Sequence, residues 1–229
     1  MYLYLLLNLG SFIVPFIYSF EKKRMHYIKY WKAVFGSICI TATIFLTWDA
    51  FFTIQGVWGF NEKYHLSLEI IGMPIEEWLF FICIPYASIF IHYVFQHFYP
   101  EIRLPVGLTK AITFMFSSLA IVLVWIYFDR KYTVVNFSFL FVLLVYSIKR
   151  NIEFLRVFYI TFIFILIPFF LVNGILTGSF IEEQVVWYND SENMGIRLGT
   201  IPIEDIGYAF SMLYMSILLF EYFKKRKVY

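Results

Sequence analysis

Long apolar runs separated by short polar segments make up most of this chain. Several runs reach the roughly 20 residues that a helix needs to cross the hydrocarbon core of a bilayer. The pattern therefore predicts an all-α integral membrane protein with seven transmembrane helices. We place them at residues 2–20, 33–54, 74–96, 109–128, 133–148, 157–177 and 201–221.

The distribution of basic residues predicts an orientation. If the amino terminus lies outside, the cytoplasmic segments are 21–32, 97–110, 149–156 and the carboxyl-terminal tail. They hold five, two, three and four basic residues, 14 of the 18 Lys and Arg residues of the chain. Short cytoplasmic loops are enriched in Lys and Arg. We therefore expect a multi-pass protein of the cell (inner) membrane, with the amino terminus outside and the carboxyl terminus in the cytoplasm.

One short motif occurs twice. Residues 74–77 read Pro-Ile-Glu-Glu, and residues 202–205, which lie 128 positions later, read Pro-Ile-Glu-Asp. Each copy opens an apolar run and has a tryptophan upstream, Trp58 or Trp187. Proline followed by acidic residues suits a helix start, and for one copy that explanation is sufficient. Two copies beside membrane-spanning segments indicate a function.

The duplication predicts the organisation of the chain. Laying residues 45–53 over residues 169–177 places Asp49 opposite Asn173. We predict two parallel three-helix repeats about an axis along the membrane normal, at 1–108 and 133–229. A linking helix in 109–132 joins them.

Ionisable side chains within a membrane usually mark a functional site. If the two motifs meet, burial and repulsion keep at least one acid protonated beside an ionised one, as general acid–base catalysis requires. Along the third span, Glu77 shares one helical face with Ser88. We predict Glu76 and Glu204 as the principal acid–base pair, with Glu77 and Asp205 supporting or sharing that role.

Aromatic faces stabilise cations, and tryptophans cluster around both motifs. The alternative role for these tryptophans is anchoring at the membrane interface, and Asp49 could equally be an interfacial acid. The candidate substrate-binding residues are Asp49, Asn173, Trp48, Trp58, Trp78 and Trp187.

Several classes of protein lack support in the sequence. A glycine-rich nucleotide motif and a His/Cys cluster with metal-ligand spacing are both missing, so we expect neither a cofactor nor a metal. The net charge of +2 gives no support for nucleic-acid binding. The last span has no lysine between Ile201 and Tyr222, which excludes a retinal Schiff base there.

With its two Pro-x-Glu-[Glu/Asp] motifs, one in each half, the chain resembles the small membrane-embedded lycopene cyclases, which occur as two short subunits or as one fused chain. The resemblance covers nearly the whole chain. It implies an isomerase (an intramolecular lyase) of carotenoid biosynthesis. Such an enzyme cyclises the ψ-ends of lycopene to β-ionone rings, giving β-carotene through monocyclic γ-carotene, without net redox change. The implied partners are lycopene, other acyclic carotenoids and the bilayer.

Two other functions stay open from the residues alone. One is a membrane prenyl-transferring enzyme, and the other is a carotenoid-binding protein or proton-coupled transporter that uses the acids as a relay. The sequence leaves open the ring type, the number of ends cyclised, the substrate length and the oligomeric state.

Overall fold

In the computed structural model, which describes residues 2–226, seven helices occupy the seven predicted regions. Lys227, counted above among the basic residues of the tail, lies outside the described residues. The helices are α1 (Leu3–Ser19), α2 (Trp31–Ile54), α3 (Ile75–Phe98), α4 (Val106–Ile126), α5 (Lys131–Arg150), α6 (Ile152–Leu176) and α7 (Glu204–Arg226).

Six of the helices within residues 2–226, α2 to α7, are long and apolar enough to cross a membrane. α1 is a shorter apolar helix of 17 residues. At 1.5 Å per residue its length is about 26 Å, close to the ~30 Å hydrocarbon core of a bilayer. The prediction of an all-α, multi-pass membrane protein is confirmed.

Some helix ends differ from the prediction. The loop expected at 149–156 is reduced to Asn151, because α5 continues to Arg150 and α6 begins at Ile152. Asn151 has φ −135° and ψ 33°, outside the helical region, and it separates the two helices. Lys149 and Arg150 lie in the last turn of α5, where positive charge interacts favourably with the helix dipole.

The two acidic motifs begin α3 and α7, each after a short β-hairpin. Strand β2 (Glu69–Ile70) pairs with β3 (Met73–Pro74), and β5 (Arg197–Leu198) pairs with β6 (Ile201–Pro202). Pro74 has an extended ψ of 149° and caps α3 instead of forming its first residue. Both acids of each motif therefore fall in the first helical turn.

A third strand pair joins the two halves of the chain. Strand β1 (Trp58–Phe60) runs antiparallel to β4 (Val186–Tyr188), with Gly59 opposite Trp187. Hydrogen bonds from Asn61 N to Val185 O and from Asn189 N to Val57 O flank the pair, each 2.9 Å long. This ribbon lies at the end of the bundle where α3 and α7 begin.

Helices α3 and α7 contact each other at the centre of the bundle. α1 packs on α3 and α5 packs on α7, while α2 packs on α7 and α6 packs on α3. The middle helix of each half thus contacts the third helix of the other half. α4 packs against α5 and α6. The arrangement brings the beginnings of α3 and α7 together.

Candidate active site

A cavity of about 170 Å³ lies between α1, α3, α6 and α7, beneath the β1–β4 ribbon. On α3 its wall extends from Glu77 to Ile91, about 21 Å along the helix axis. Most of the wall is apolar, and Ser88 lines it on the same face of α3 as Glu77. Four polar or acidic groups are gathered at its end near the ribbon: Asp49, Glu77, Asn173 and Asp205.

Glu77 enters the cavity from the first turn of α3 and is 7% exposed. The hydroxyl of Tyr4, in α1, donates a hydrogen bond to Glu77 Oε2. Asp49, from α2, is 3% exposed and lies beside Glu77 and Trp58 in the cavity lining. Two carboxyl groups that are buried side by side repel each other when both are ionised, and this repulsion favours sharing one proton.

Asp205 enters the same cavity from the first turn of α7 and has a different set of partners. Three neutral donors bind its carboxylate: Tyr132 OH to Oδ1 at 2.6 Å, Asn173 Nδ2 to Oδ2 at 2.8 Å and Tyr188 OH to Oδ2 at 2.9 Å. Loss of solvation raises the pKa of Tyr188, so this phenol stays a donor. Hydrogen bonds of this kind favour the ionised carboxylate.

The first acid of each motif does not line the cavity. Glu76 and Glu204 are fully buried, and each accepts a hydrogen bond from a backbone N–H ten residues earlier. Leu66 N donates to Glu76 Oε1, and Met194 N donates to Glu204 Oε1, both at 2.8 Å. Thr133 Oγ1 also donates to Glu204 Oε1, at 2.7 Å. These carboxylates fix the preceding hairpin and loop to the helix start.

The four predicted tryptophans lie in different places. Trp58 lines the cavity and is 5% exposed. Trp48 packs beside the cavity wall, with its ring centroid 4.9 Å from that of Tyr208. Trp78 donates from Nε1 to Ile70 O at 3.2 Å, at the edge of the β2–β3 hairpin. Trp187 is 42% exposed and covers the backbone of Gly59.

Sequence reasoning missed the groups that hold the acids, although a signal was present. Tyr4 and Asn8 recur 128 positions later as Tyr132 and Asn136. Both tyrosines donate to the second acid of a motif. Both asparagines donate to the backbone carbonyl of the first acid, at 2.8 Å and 2.6 Å. Comparing the chain with itself at the motif's own spacing would have found all four residues.

The fold and the site together define a multi-pass membrane protein with an acidic, otherwise apolar internal cavity. A family model described as lycopene cyclase matches residues 1–95 and 129–223. Because these two segments cover most of the chain, the protein belongs to the lycopene cyclase family. Membership implies a cyclase that acts on a carotenoid, which the resemblance had indicated. Searches of curated proteins and of solved structures gave no match.

Proposed function

We propose that this protein cyclises the ψ-ends of lycopene to β-ionone rings by acid–base catalysis, as an isomerase without net redox change. The observation that carries the proposal is the presence of Glu77 and Asp205 in one cavity with mostly apolar walls. A hydrocarbon substrate needs such walls, and its cyclisation needs one group that gives a proton and one that takes a proton.

The reaction balances without any other reactant. Protonation of the terminal double bond at C2 produces a tertiary cation at C1. The C5=C6 π-electrons form the C1–C6 bond and leave the cation at C5. Loss of the C6 proton restores the C5=C6 double bond within the new ring. One proton enters and one proton leaves, so the product is an isomer of the substrate.

We assign the proton donor to Glu77, with Asp49 as its partner. In this proposal the pair retains a proton, because two adjacent carboxyl groups in a mostly apolar cavity repel each other when both are ionised. Glu77 lines the cavity and receives a hydrogen bond from Tyr4, which stabilises the carboxylate formed after proton transfer. Asp49 is the positioning residue that keeps Glu77 protonated.

We assign the proton acceptor to Asp205. Its three hydrogen-bond donors support an ionised carboxylate facing the same cavity. An ionised acid can also stabilise the carbocation before it removes the C6 proton. Glu76 and Glu204, which the sequence favoured as the principal pair, are in this proposal positioning residues, because their carboxylates bind backbone N–H groups.

Aromatic rings at the same end of the cavity support a cationic intermediate. Trp58, Tyr132, Tyr188 and Tyr208 all line it. The rings of Tyr132 and Tyr188 are stacked, with centroids 6.0 Å apart. A desolvated cation over an aromatic face gains about 2 kcal/mol. We therefore propose Trp58 as the substrate-binding member of the predicted tryptophans, together with these tyrosines.

We also propose that the chain is built from two parallel repeats, 1–108 and 133–229, joined through the linking helix in 109–132. The β1–β4 ribbon supports a two-fold relation between them. Trp58 pairs with Tyr188, which is the counterpart of Phe60 at the 128-residue spacing, and Phe60 pairs with Val186, which is the counterpart of Trp58. Such reciprocal pairing is typical of a contact across a two-fold axis. With the amino terminus outside the cell membrane, the acids lie near the outer surface.

The test is expression of Glu77→Gln and Asp205→Asn in a lycopene-producing host, with pigments separated by chromatography. Each change preserves shape and removes one proton-transfer group, so we expect ring formation to fall about 10²–10⁴-fold. A matched control is Glu69→Gln, which changes an exposed acid in β2 and should have no effect. Full β-carotene output from either site variant would overturn its assignment.

Purified wild-type protein in liposomes loaded with lycopene separates the proposal from its alternatives. Cyclised carotenoid is the expected product. A protein that only binds or transports carotenoid would leave the lycopene unchanged, and that result would overturn the proposed activity.

A further inference from the structure

The two halves share a framework, but their internal space is different. The 128-residue spacing makes Phe139 in α5 the counterpart of Ser11 in α1. The match of Asp49 with Asn173 makes Trp48 in α2 the counterpart of Val172 in α6. Ser11 and Val172 both line the cavity. These two small side chains on the cavity side therefore have large aromatic counterparts on the other side.

The counterpart position between α2, α5 and α7 is filled by rings. Phe45 lies 5.6 Å from Trp48 and 5.4 Å from Phe139, measured between ring centroids. Phe45 and Trp48 also contact Tyr208, at 5.2 Å and 4.9 Å. Trp48 and Phe139 are 6.3 Å apart. We call Phe45, Trp48 and Phe139 the aromatic plug; Tyr208 contacts the plug and also lines the cavity.

The packing between helices also differs between the cavity side and the side of the aromatic plug. α2 packs extensively on α7, whereas α6 contacts α3 over a shorter stretch. The space between α6 and α3 is the cavity, which α1 and α7 complete. Close packing excludes a ligand from the plugged side, because protein interiors leave few voids larger than a water molecule.

We propose that the protein accommodates one end of a polyene at a time, on the α1–α6 side, and that the aromatic plug closes the symmetry-related position. This inference rests on the proposed function. It adds that one end of the carotenoid is cyclised in each binding event. Both acids line the one cavity, so a single end meets the donor and the acceptor together.

A single cavity also sets the order in which the two ends react. After the first ring forms, the second ψ-end of the same molecule must reach the same cavity. The monocyclic carotenoid must therefore withdraw into the bilayer, and the molecule must enter again by its other end. While it is in the bilayer, it mixes with any monocyclic carotenoid already present there.

A binding experiment tests the cavity assignment without depending on turnover. Lycopene is achiral, so circular dichroism in its visible bands reports pigment held in the chiral protein. All variants are made in the Glu77→Gln background to prevent cyclisation. We expect saturation at about one lycopene per chain, and about tenfold weaker binding after Ser11→Phe or Val172→Trp, because each fills the cavity.

The matched control changes the plug. Phe139→Ser places the Ser11 side chain at the counterpart position, and Phe139→Leu is the milder version if Phe139→Ser does not fold. Either change should leave lycopene affinity at the level of the parent. Weakening by Phe139→Leu equal to that by Ser11→Phe, or saturation at about two lycopenes per chain in the parent, would overturn the inference.

A labelling experiment tests the order of reaction in the active protein. Liposomes receive unlabelled lycopene and an excess of isotope-labelled monocyclic γ-carotene. We expect most bicyclic product to carry label, because released intermediate competes with the labelled pool. Unlabelled bicyclic product formed directly from lycopene would overturn sequential processing. If no ring forms at all, the proposed function fails, and the binding experiment still decides the cavity assignment.

Discussion

The beginnings of α3 and α7 show how one framework can support two carboxylates with different roles. In both, a buried first acid binds a backbone N–H ten residues earlier, and a tyrosine from another helix donates to the second acid. The main difference is the residue contributed by the middle helix of each half. Asp49 contacts Glu77, whereas Asn173 donates to Asp205.

In the proposed mechanism this difference decides which acid holds a proton. A carboxyl partner favours a shared proton, because two ionised carboxylates repel each other, while an amide partner donates a hydrogen bond and favours the ionised form. Tyr188 adds a further donor to Asp205. A single Asp-to-Asn difference between the halves can therefore separate a proton donor from a proton acceptor. Exchanging these partners tests that interpretation.

Asp49→Asn has the largest expected effect among the partner changes. In the proposed mechanism it removes the carboxyl group that shares a proton with Glu77, and the amide then favours ionised Glu77. We expect the initial rate of ring formation in liposomes to fall about 10³-fold, equivalent to ~4 kcal/mol in the activation barrier.

The reciprocal change, Asn173→Asp, gives Asp205 a partner that must share a proton, so it should also lower the rate. The double variant moves the proton-sharing pair to the other half. We expect its rate of ring formation to be higher than the rate calculated by multiplying the effects of the two single substitutions. A wild-type rate in Asp49→Asn would contradict the assignment of this residue.

Substitution of Glu76 or Glu204, the first acid of each motif, should lower the unfolding free energy more than the rate of ring formation. The loss of stability should differ between the two residues. Glu204→Ala leaves two donors without their partner, Met194 N and Thr133 Oγ1, whereas Glu76→Ala leaves Leu66 N. At about 1–3 kcal/mol for each stranded donor, we expect losses of about 3 kcal/mol and about 1.5 kcal/mol. Thermal unfolding in detergent measures both.

Conservative variants provide the control for this difference. Glu204→Gln and Glu76→Gln keep an acceptor oxygen and should retain most of the stability and the activity. Equal losses for the two alanine variants would show that the additional hydrogen bond from Thr133 to Glu204 contributes little. Loss of activity in a well-folded Glu76→Gln protein would return that acid to the catalytic pair.

The sequence was sufficient to predict the seven helical regions, because transmembrane runs carry a strong hydropathy signal. It also identified the four acids, but not which of them face the cavity. Neighbouring helical residues differ by about 100° in direction, so the choice between Glu76 and Glu77 depends on how α3 packs. The shared face of Glu77 and Ser88 was the useful indication, since both line the cavity.

The different environments of the tryptophans could not be predicted in the same way. Trp58 and Trp187 both precede an acidic motif, yet Trp58 lines the cavity and Trp187 lies on the outer side of the β1–β4 ribbon. At the 128-residue spacing, the counterpart of Trp187 is Gly59, not Trp58. The strand register agrees with that spacing, since Gly59 lies opposite Trp187, but neither the spacing nor the composition shows which of the two tryptophans faces the cavity.

The smallest expected effect concerns this pair, where the two halves meet. A Cβ on Gly59 would lie 2.4 Å from Cζ2 of Trp187, so the ring must move in Gly59→Ala. Because Trp187 is 42% exposed, it can swing outward, and we expect a loss of only about 1 kcal/mol in unfolding free energy. In a Trp187→Ala background the same change should cost nearly nothing. Thermal unfolding measures the loss of stability caused by Gly59→Ala with Trp187 present and with Trp187→Ala. Equal losses in the two proteins would show that the Trp187 ring is not what excludes a side chain at position 59.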